Sequence, residues 1–333
     1  MAAIAFASLT CVRRAIFFAS FAITTWGAPL AAQDFPIRSL KVIVPFPPGG
    51  PVDTLARALG EGFRERTGQT FVVENKPGAN TSVAAVACKG SEPDGYTLCL
   101  LASTTLSINP HLYDDLRYTS GDLAPVTNIA GTRAVFMIPP NIPGKTLPDV
   151  VEWSKKNPDK MNYASFGVGG ETHLMMEWLK KKTGAQITHV PFQGFAPALI
   201  AFDRGDIQVM IPVTIPPILD RIAEGKAKAI MIVGDARAMT LPDTPAVGDL
   251  GLPPIGFNTW FGMFAPAGTP KDRIEKLSAD LRAIVQQKTF AEKYLDAGGM
   301  VSMVNTPDEF KSFLVKDYLA AGELVKVSGV KIK

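Results

Sequence analysis

Apolar strand patterns that end in glycine-rich turns and run directly into helices constrain this fold more than any other feature. The first pattern is the apolar run 40–46, which the turn 47–51 breaks and which apolar residues at helical spacing follow. Such strand–turn–helix units recur along the chain. Alternation of strands with helices predicts an α/β fold with a mostly parallel sheet covered by helices.

The alternation falls into two runs, which predicts two lobes. About 300 residues follow the N-terminal segment, more than one hydrophobic core usually organises. The first run contains predicted strands at 40–46, 70–73 and 96–101 and helices from 51 and at 81–87. The second run contains strands at 134–138, 161–164, 187–190, 207–211 and 229–233 and helices at 147–156, 171–182 and 197–202.

The C-terminal part offers a strand at 257–264 and two helices, but no parallel sheet of its own. Thr306 and Glu309 fit a capping box at the start of the last helix. We therefore expect this part to return to the first lobe.

The predicted lobes are discontinuous in sequence. Lobe 1 comprises residues 33–131 and 246–333, and lobe 2 comprises residues 132–245. The chain then crosses between them twice, near 124–133 and 245–258, which is the layout of a hinge that can open and close.

The N-terminal segment has the order of a secretory signal peptide. Arg13 and Arg14 precede the apolar run 15–23, and small residues follow up to Ala32. We expect residues 1–32 to be a signal peptide that is removed on export. Its loss removes two arginines and lowers the formal net charge from +3 to +1, which gives no electrostatic case for nucleic acid as a partner.

Export also removes Cys11 and leaves Cys88 and Cys99 as the remaining cysteines. Cysteines more often pair than stay free in an oxidising compartment. Their spacing fits neither a redox CxxC motif nor a zinc knuckle. We expect a structural disulfide between them.

The turn at 46–53 is the sharpest candidate site. A strand end that turns through glycines into a helix N-terminus exposes backbone N–H groups and the positive end of the helix dipole, which favours an anion. An ordinary strand-to-helix turn is the alternative, and Asp53 equally suits the first turn of its own helix. The predicted ligand-binding residues here are Phe46, Pro48, Gly49, Gly50 and Asp53.

Two turns of the second lobe repeat this device, at 165–172 and 191–197. Ligands of open α/β sheets collect at the carboxyl ends of strands, where all three turns lie. No Lys or Arg occurs between Lys160 and Lys180 or between Lys41 and Arg57, so backbone N–H groups and hydroxyls must hold a carboxylate. The further predicted ligand-binding residues are Thr104, Ser165, Gly169, Gly170, Thr172, Gln193 and Gly194.

Enzyme signatures are not met. Tyr163 stands where a nucleophile elbow around Ser165 needs a glycine, and Thr172 replaces the last glycine of a dinucleotide fingerprint. His173 and Glu177 share a helix face, but a third metal ligand is not apparent. We expect no catalytic residue, no metal and no cofactor.

Taken together, these motifs resemble the receptors of tripartite tricarboxylate transporters, the Bug family of bacterial periplasmic binding proteins. The likeness runs in the family's order from about Phe35 to the C-terminus. The segments that carry it are 44–57, 73–79, 93–98, 109–113, 165–172 and 261–270.

The resemblance implies a monomeric, periplasmic, type II (Venus-flytrap) binding protein. Its ligand, a small organic carboxylate, would lie between the lobes and pass to the membrane permease subunits of a tripartite transporter. The chain departs from the family where a Tyr-Lys-Gly turn is common, because it has Phe192, Gln193 and Gly194 there. A possible cation is thereby lost, so ligand identity does not transfer from relatives.

Two other functions remain open at this stage. A periplasmic sensor that reports to a signalling partner would need the same lobes. A secreted hydrolase acting through Ser165 is the alternative from another class, although no His/Asp partner for it can be read from the chain.

Overall fold

The computed structural model describes residues 35–331 except 235, 254, 256 and 257, so the predicted signal peptide lies outside the described residues. The strands are β1 Leu40–Val44, β2 Phe71–Asn75, β3 Thr97–Ala102, β4 Leu123–Thr132, β5 Ala134–Ile138, β6 Asn162–Ser165, β7 Thr188–Pro191, β8 Lys228–Val233, β9 Trp260–Pro266 and β10 Met300–Ser302. The helices are α1 Pro51–Thr67, α2 Ser82–Lys89, α3 Asn109–Leu112, α4 Leu147–Lys156, α5 Glu171–Thr183, α6 Phe195–Arg204, α7 Pro216–Ala223, α8 Lys271–Val285, α9 Lys288–Phe290 and α10 Pro307–Ser328. Within the described part of the chain, no helix combines the length and apolarity needed to cross a membrane.

A six-stranded sheet in the order β10-β4-β9-β3-β1-β2 forms the centre of the first lobe. β1 pairs in parallel with β2 and β3, whereas β9 pairs antiparallel with both β3 and β4. The prediction of a mostly parallel sheet was therefore wrong for this lobe, which is mixed. The local apolar pattern of β9 predicts a buried strand but does not determine whether that strand runs parallel or antiparallel to its neighbours.

The predicted crossing segment 124–133 is largely a strand. β4 occupies it and pairs with β9 and β10, so the chain leaves the first sheet only after Thr132. The second predicted crossing, 245–258, includes residues 254, 256 and 257, which lie outside the described residues.

The second lobe contains an antiparallel pair, β5 and β8, and a parallel pair, β6 and β7. The predicted strand 207–211 is replaced by isolated bridges, Met137 to Met210 and Tyr163 to Val209, which join the two pairs. Because Val209 and Met210 are fully buried, their apolar pattern reports burial rather than a regular strand.

Each face of the first sheet has its own core. Val42 and Val44 pack with residues of α1 and α8, whereas Ile43 between them packs on the opposite face with residues of α2 and with Phe310 of α10. A central strand buried on both faces has no polar alternation, which explains the continuous apolar run of β1.

The last helix, α10, contacts both lobes. Phe310 near its start packs edge-to-face on Trp260, with ring centroids 5.6 Å apart. Leu324 and Val325 near its end join the second-lobe core that contains Trp178. The first half of α10 therefore packs on the first lobe, as expected. Its second half also buries apolar surface against α5 of the second lobe.

Cys88 and Cys99 form a disulfide that joins the end of α2 to β3. Their Cα atoms are 6.1 Å apart and both side chains are fully buried. The predicted pairing is confirmed, and it closes a loop of 11 residue steps at the edge of the first-lobe core.

We expect the double variant Cys88→Ala and Cys99→Ala to lose about 2 to 3 kcal/mol of unfolding free energy, because the open loop gains entropy in the unfolded chain. Urea unfolding of the oxidised protein and of the double variant measures this loss. Thiol titration of the denatured, unreduced mature protein should find no free thiol, and finding two would contradict the pairing.

Candidate functional site

The first turn, between β1 and α1, is held from inside by Asp53. Its carboxylate accepts the Gly49 N–H at 2.9 Å, two bonds from the Arg57 guanidinium at 3.0 and 3.1 Å, and the Asn75 amide at 2.9 Å. The same Asn75 amide donates to the carbonyl of Phe46 at 2.9 Å. Asp53 and Gly49, both predicted ligand contacts, are thus engaged in shaping the turn.

The charge of this turn is balanced internally. Burial opposes ionisation of Asp53, but bonds from Arg57, Gly49 and Asn75 outweigh it and hold the pKa of that carboxyl below its ordinary value. A carboxylate at the first turn of α1 also offsets part of the helix dipole. The donors that remain open are the N–H groups of Gly50, Val52 and Asp53, which have no acceptor among the described residues.

The second turn, between β6 and α5, is backed by Ser165 and two histidines. The Ser165 hydroxyl lies 2.6 Å from His189 Nε2 and 3.1 Å from the carbonyl of Gly167. His173 Nδ1 accepts the N–H of Gly169 at 2.9 Å. Ser165 and Gly169, predicted to contact ligand, therefore face the interior of the lobe.

The histidine rings are stacked and uncharged. Their centroids are 4.0 Å apart, and the Tyr163 ring stacks with that of His189 at a centroid distance of 4.9 Å. Burial, reinforced by repulsion from His173, lowers the pKa of His189 to about 4, and burial also lowers the pKa of His173. At neutral pH this turn therefore carries no imidazolium, and its attraction for an anion rests on the N–H groups at the start of α5.

The proximity of His189 to Ser165 was not foreseen from the sequence, since 24 residues separate them. The Ser165 side chain is fully buried, so its hydroxyl is not exposed to solvent in this structure. Glu177, the suggested metal partner of His173, instead accepts bonds from Tyr163 and Lys180 at 2.8 and 2.7 Å. No cluster of metal-ligating side chains occurs in the part of the chain that the structure describes.

The third turn, between β7 and α6, lies beside the second. The Phe192 N–H donates to the carbonyl of Ser165 at 2.9 Å, and the Phe195 ring lies 6.4 Å from that of Phe166. Gln193 is exposed, and Gly194 has φ 111°, a conformation that favours glycine. These residues give lobe 2 one continuous glycine-rich and aromatic edge.

A further segment of the site was missed in the sequence, the loop after β2. Ala79, Asn80 and Thr81 have φ of 44, 49 and 74°, which is costly for residues with a Cβ. Asn109 stabilises the loop, because its amide donates to the carbonyl of Asn80 at 2.7 Å and its Oδ1 accepts from the Asn80 amide at 2.8 Å. The sequence contains no pattern that predicts three consecutive residues with positive φ.

One hydrogen bond joins the strand ends of the lobes, and a second pair of residues lies close together at the same boundary. Ser103, at the end of β3 and next to the predicted Thr104, donates to Glu171 Oε1 at 3.0 Å. Asn80 Oδ1 lies 3.8 Å from the position that a Cβ on Gly170 would take.

The predicted ligand-binding residues therefore fall into those near the interlobe contact and those away from it. Thr104, Gly170 and Thr172 lie near these interlobe contacts, and Thr104 and Thr172 are buried there. The first turn, 46–53, makes no described hydrogen bond to the second lobe. Two surface cavities of about 290 and 460 Å³ lie elsewhere, around Trp153 and around Tyr96.

Comparison with known proteins identifies the relatives of this chain. Residues 55–330 match the family model described as the tripartite tricarboxylate transporter family receptor. A UPF0065 protein of Bordetella pertussis is 31% identical over 313 residues, which are 94% of this chain and 96% of that protein.

Three solved structures share the fold. The periplasmic binding protein BugD is 29% identical, with a TM-score of 0.80, and the match covers 90% of this chain and 100% of that one. R. palustris Rpa4515 with adipate is 25% identical, with a TM-score of 0.82 and coverage of 90% and 99%. MatC from Rhodopseudomonas palustris with bound malate is 28% identical, with a TM-score of 0.77 and coverage of 87% and 100%. These neighbours confirm the predicted α/β, two-lobed class of periplasmic binding proteins.

The buried histidine pair predicts how stability depends on acid. The unfolded chain protonates His189 near its ordinary pKa of about 6.5, whereas the folded protein does so only near 4. The unfolded state therefore binds more protons in this window, and the free energy of unfolding falls as pH falls from 6.5 to 4. His189→Gln should make that dependence shallower, by up to about 1.4 kcal/mol per pH unit.

Urea unfolding of the protein and of His189→Gln at intervals between pH 7 and 4.5 measures the two slopes. Parallel curves would contradict a buried, neutral His189.

Proposed function

The chain belongs to the receptor family of the tripartite tricarboxylate transporters, the Bug family, and on this premise we propose that it captures a small carboxylate in the periplasm. The carboxylate binds between the two lobes and is then delivered to the membrane subunits of such a transporter. Export by the segment 1–32 places the receptor on the same side of the membrane as its ligand.

The observation that carries this proposal is the facing of two sheet edges, each of which ends in a glycine turn that starts a helix. On one side are the loops after β1, β2 and β3, and on the other are those after β6 and β7. The hydrogen bond from Ser103 to Glu171 joins these edges, and Asn80 lies close to Gly170. Ligands of open α/β folds occupy such a position.

The distribution of cations supports a site built from backbone donors. Residues 42–56, 161–179 and 183–203 contain no Lys or Arg. Arg57, which follows the first turn, is bound to Asp53. A carboxylate there depends on N–H groups of Gly50, Val52 and the first residues of α5, where the helix dipole favours negative charge.

The lobes that close on the ligand are residues 33–131 with 246–333 and residues 132–245. Support for this division comes from the strands, because the first sheet uses β1 to β4 with β9 and β10, and the intervening strands pair among themselves. α10, which contacts both lobes, must slide or repack when they move.

We expect Gly50→Pro to weaken carboxylate binding by more than tenfold, because it deletes one open N–H donor. Gly50 has φ −79°, which proline also adopts. Gly50→Ala is the matched control, since it keeps the N–H and its Cβ would lie 3.7 Å from the nearest atom, the carbonyl oxygen of Pro47.

A thermal-shift screen of carboxylates, with adipate and malate included, selects the ligand, and calorimetry measures its affinity for each variant. Equal affinity of a folded Gly50→Pro protein would remove the first turn from the site.

Ligand binding is expected to close the lobes. A single carboxylate that contacts both edges gains these contacts together only in the closed form, and a ligand shifts an equilibrium by its differential affinity for the two states. Small-angle scattering should show a smaller radius of gyration at saturating ligand. An unchanged radius, with binding confirmed by calorimetry, would mean that the lobes are rigid.

A further inference from the structure

Glu171 is the first residue of α5 and lies at the interlobe contact. Its Oε1 accepts the Ser103 hydroxyl at 3.0 Å, across 68 residues of sequence. Ser103 is fully buried at the end of β3, and its oxygen lies 3.5 Å from the backbone nitrogen of Trp260. Glu171 therefore contributes the second-lobe residue of a polar contact. The first-lobe residue, Ser103, is held between the end of β3 and the start of β9.

The surroundings of Glu171 are acidic and contain no compensating cation. The charged group that acts on it is Asp317 of α10, which accepts the Ser107 hydroxyl at 2.5 Å and the Trp260 indole N–H at 2.6 Å. Among the described residues, no lysine or arginine forms an ion pair with either carboxylate. Hydroxyls of Ser103 and Thr259 stabilise the ionised form of Glu171, but only in part.

Burial decides the protonation of this pair. The protein around the Glu171 carboxylate raises its pKa to about 7, with Asp317 adding to the effect. Burial likewise raises the pKa of Asp317 to about 6, against its bonds from Ser107 and Trp260. Two neighbouring carboxylates without a cation repel each other when both are ionised, so one of them is protonated more easily.

In the joined state Ser103 covers one side of the Glu171 carboxylate, and the residue as a whole is half-buried. Separation of the lobes removes this contact and exposes the carboxylate further to water. Separation therefore favours the ionised carboxylate, and contact favours the neutral acid. By linkage, conditions that protonate Glu171 stabilise the closed form.

We propose that Glu171 is the positioning residue of lobe closure, and that closing the lobes takes up a proton on its side chain. This inference rests on the proposed function for the movement of the lobes. A ligand carboxylate at the start of α5 adds a second negative charge beside Glu171, so capture of the ligand and uptake of the proton support each other.

The test measures closure without any ligand. Spin labels at Glu65→Cys on α1 and Arg204→Cys on α6, both exposed, report the distance between the lobes by pulsed electron paramagnetic resonance. Because Cys88 and Cys99 are bonded, the introduced thiols are the ones that react. The labelled mature protein is compared at pH 5.5 and pH 8.5 with the added variants Glu171→Gln, Glu171→Ala and Glu152→Gln.

We expect the distance to shorten by more than about 2 Å at pH 5.5 in the parent protein, the scale of domain rearrangements. In Glu171→Gln, whose side chain is a permanently neutral hydrogen-bond acceptor for Ser103, the distance between the labels should be short at both pH values. In Glu171→Ala, which lacks the acceptor, that distance should be long at both. Glu152→Gln removes an exposed carboxylate of α4 and should behave as the parent. Asp317 is unchanged in Glu171→Gln, so a pH shift that persists in this variant, or no shift in the parent, would overturn the proposal.

The free energy of unfolding gives a second test, which does not depend on the distance between the labels. Urea unfolding should show Glu171→Gln to be more stable than the parent at pH 8.5, by a margin that is clearly smaller at pH 5.5. The reason is that a folded pKa raised from 4.5 to about 7 contributes stability at low pH and loses it as pH rises through 7. Equal stability at both values would overturn the role of Glu171, whereas failure of every carboxylate in the thermal-shift screen would overturn the proposed function alone.

Discussion

The carboxyl ends of parallel strands are the constraint on which the rest of this molecule depends. β1 and its partners β2 and β3 end at one sheet edge, and β6 and β7 end at another. The hydrogen bond from Ser103, which follows β3, to Glu171 at the start of α5 joins these two edges. Each helix start there presents N–H groups that its own helix cannot use. The protein satisfies some of them internally, through Asp53 in the first turn and His173 in the second, and leaves others open. We base the proposed carboxylate site on these open donors rather than on a cation.

Much of the fold could be predicted because local patterns report burial. The apolar spacing of residues 134–138 and 147–156 gave β5 and α4 with the observed bounds, and the capping box gave the start of α10. The direction of β9 and the pairing of β4 could not be predicted in this way. They depend on partners from distant parts of the chain, which leave no periodic signal in either strand.

The candidate site shows the same division more sharply. The turns were located correctly from their glycines, but several polar residues in them proved to face inward. Ser165 binds His189, which tertiary packing brings close from 24 residues away, and Asp53 binds Arg57, which lies one helical turn later in α1. The glycine turn motif specifies neither partner. Ser103 and Glu171, which join the lobes, and the nearby Asn80 can be recognised only when two strand ends are placed opposite each other.

The central claim is that backbone donors from both lobes hold one carboxylate. A crystal structure of the mature protein with a carboxylate found in the thermal-shift screen tests it most directly. We predict that the oxygens of the ligand lie within hydrogen-bond distance of the Gly50 or Val52 N–H on one lobe and of an N–H at the start of α5 on the other, directly or through one water. A ligand carboxylate bound by a lysine or arginine, or bound within one lobe, would contradict the account.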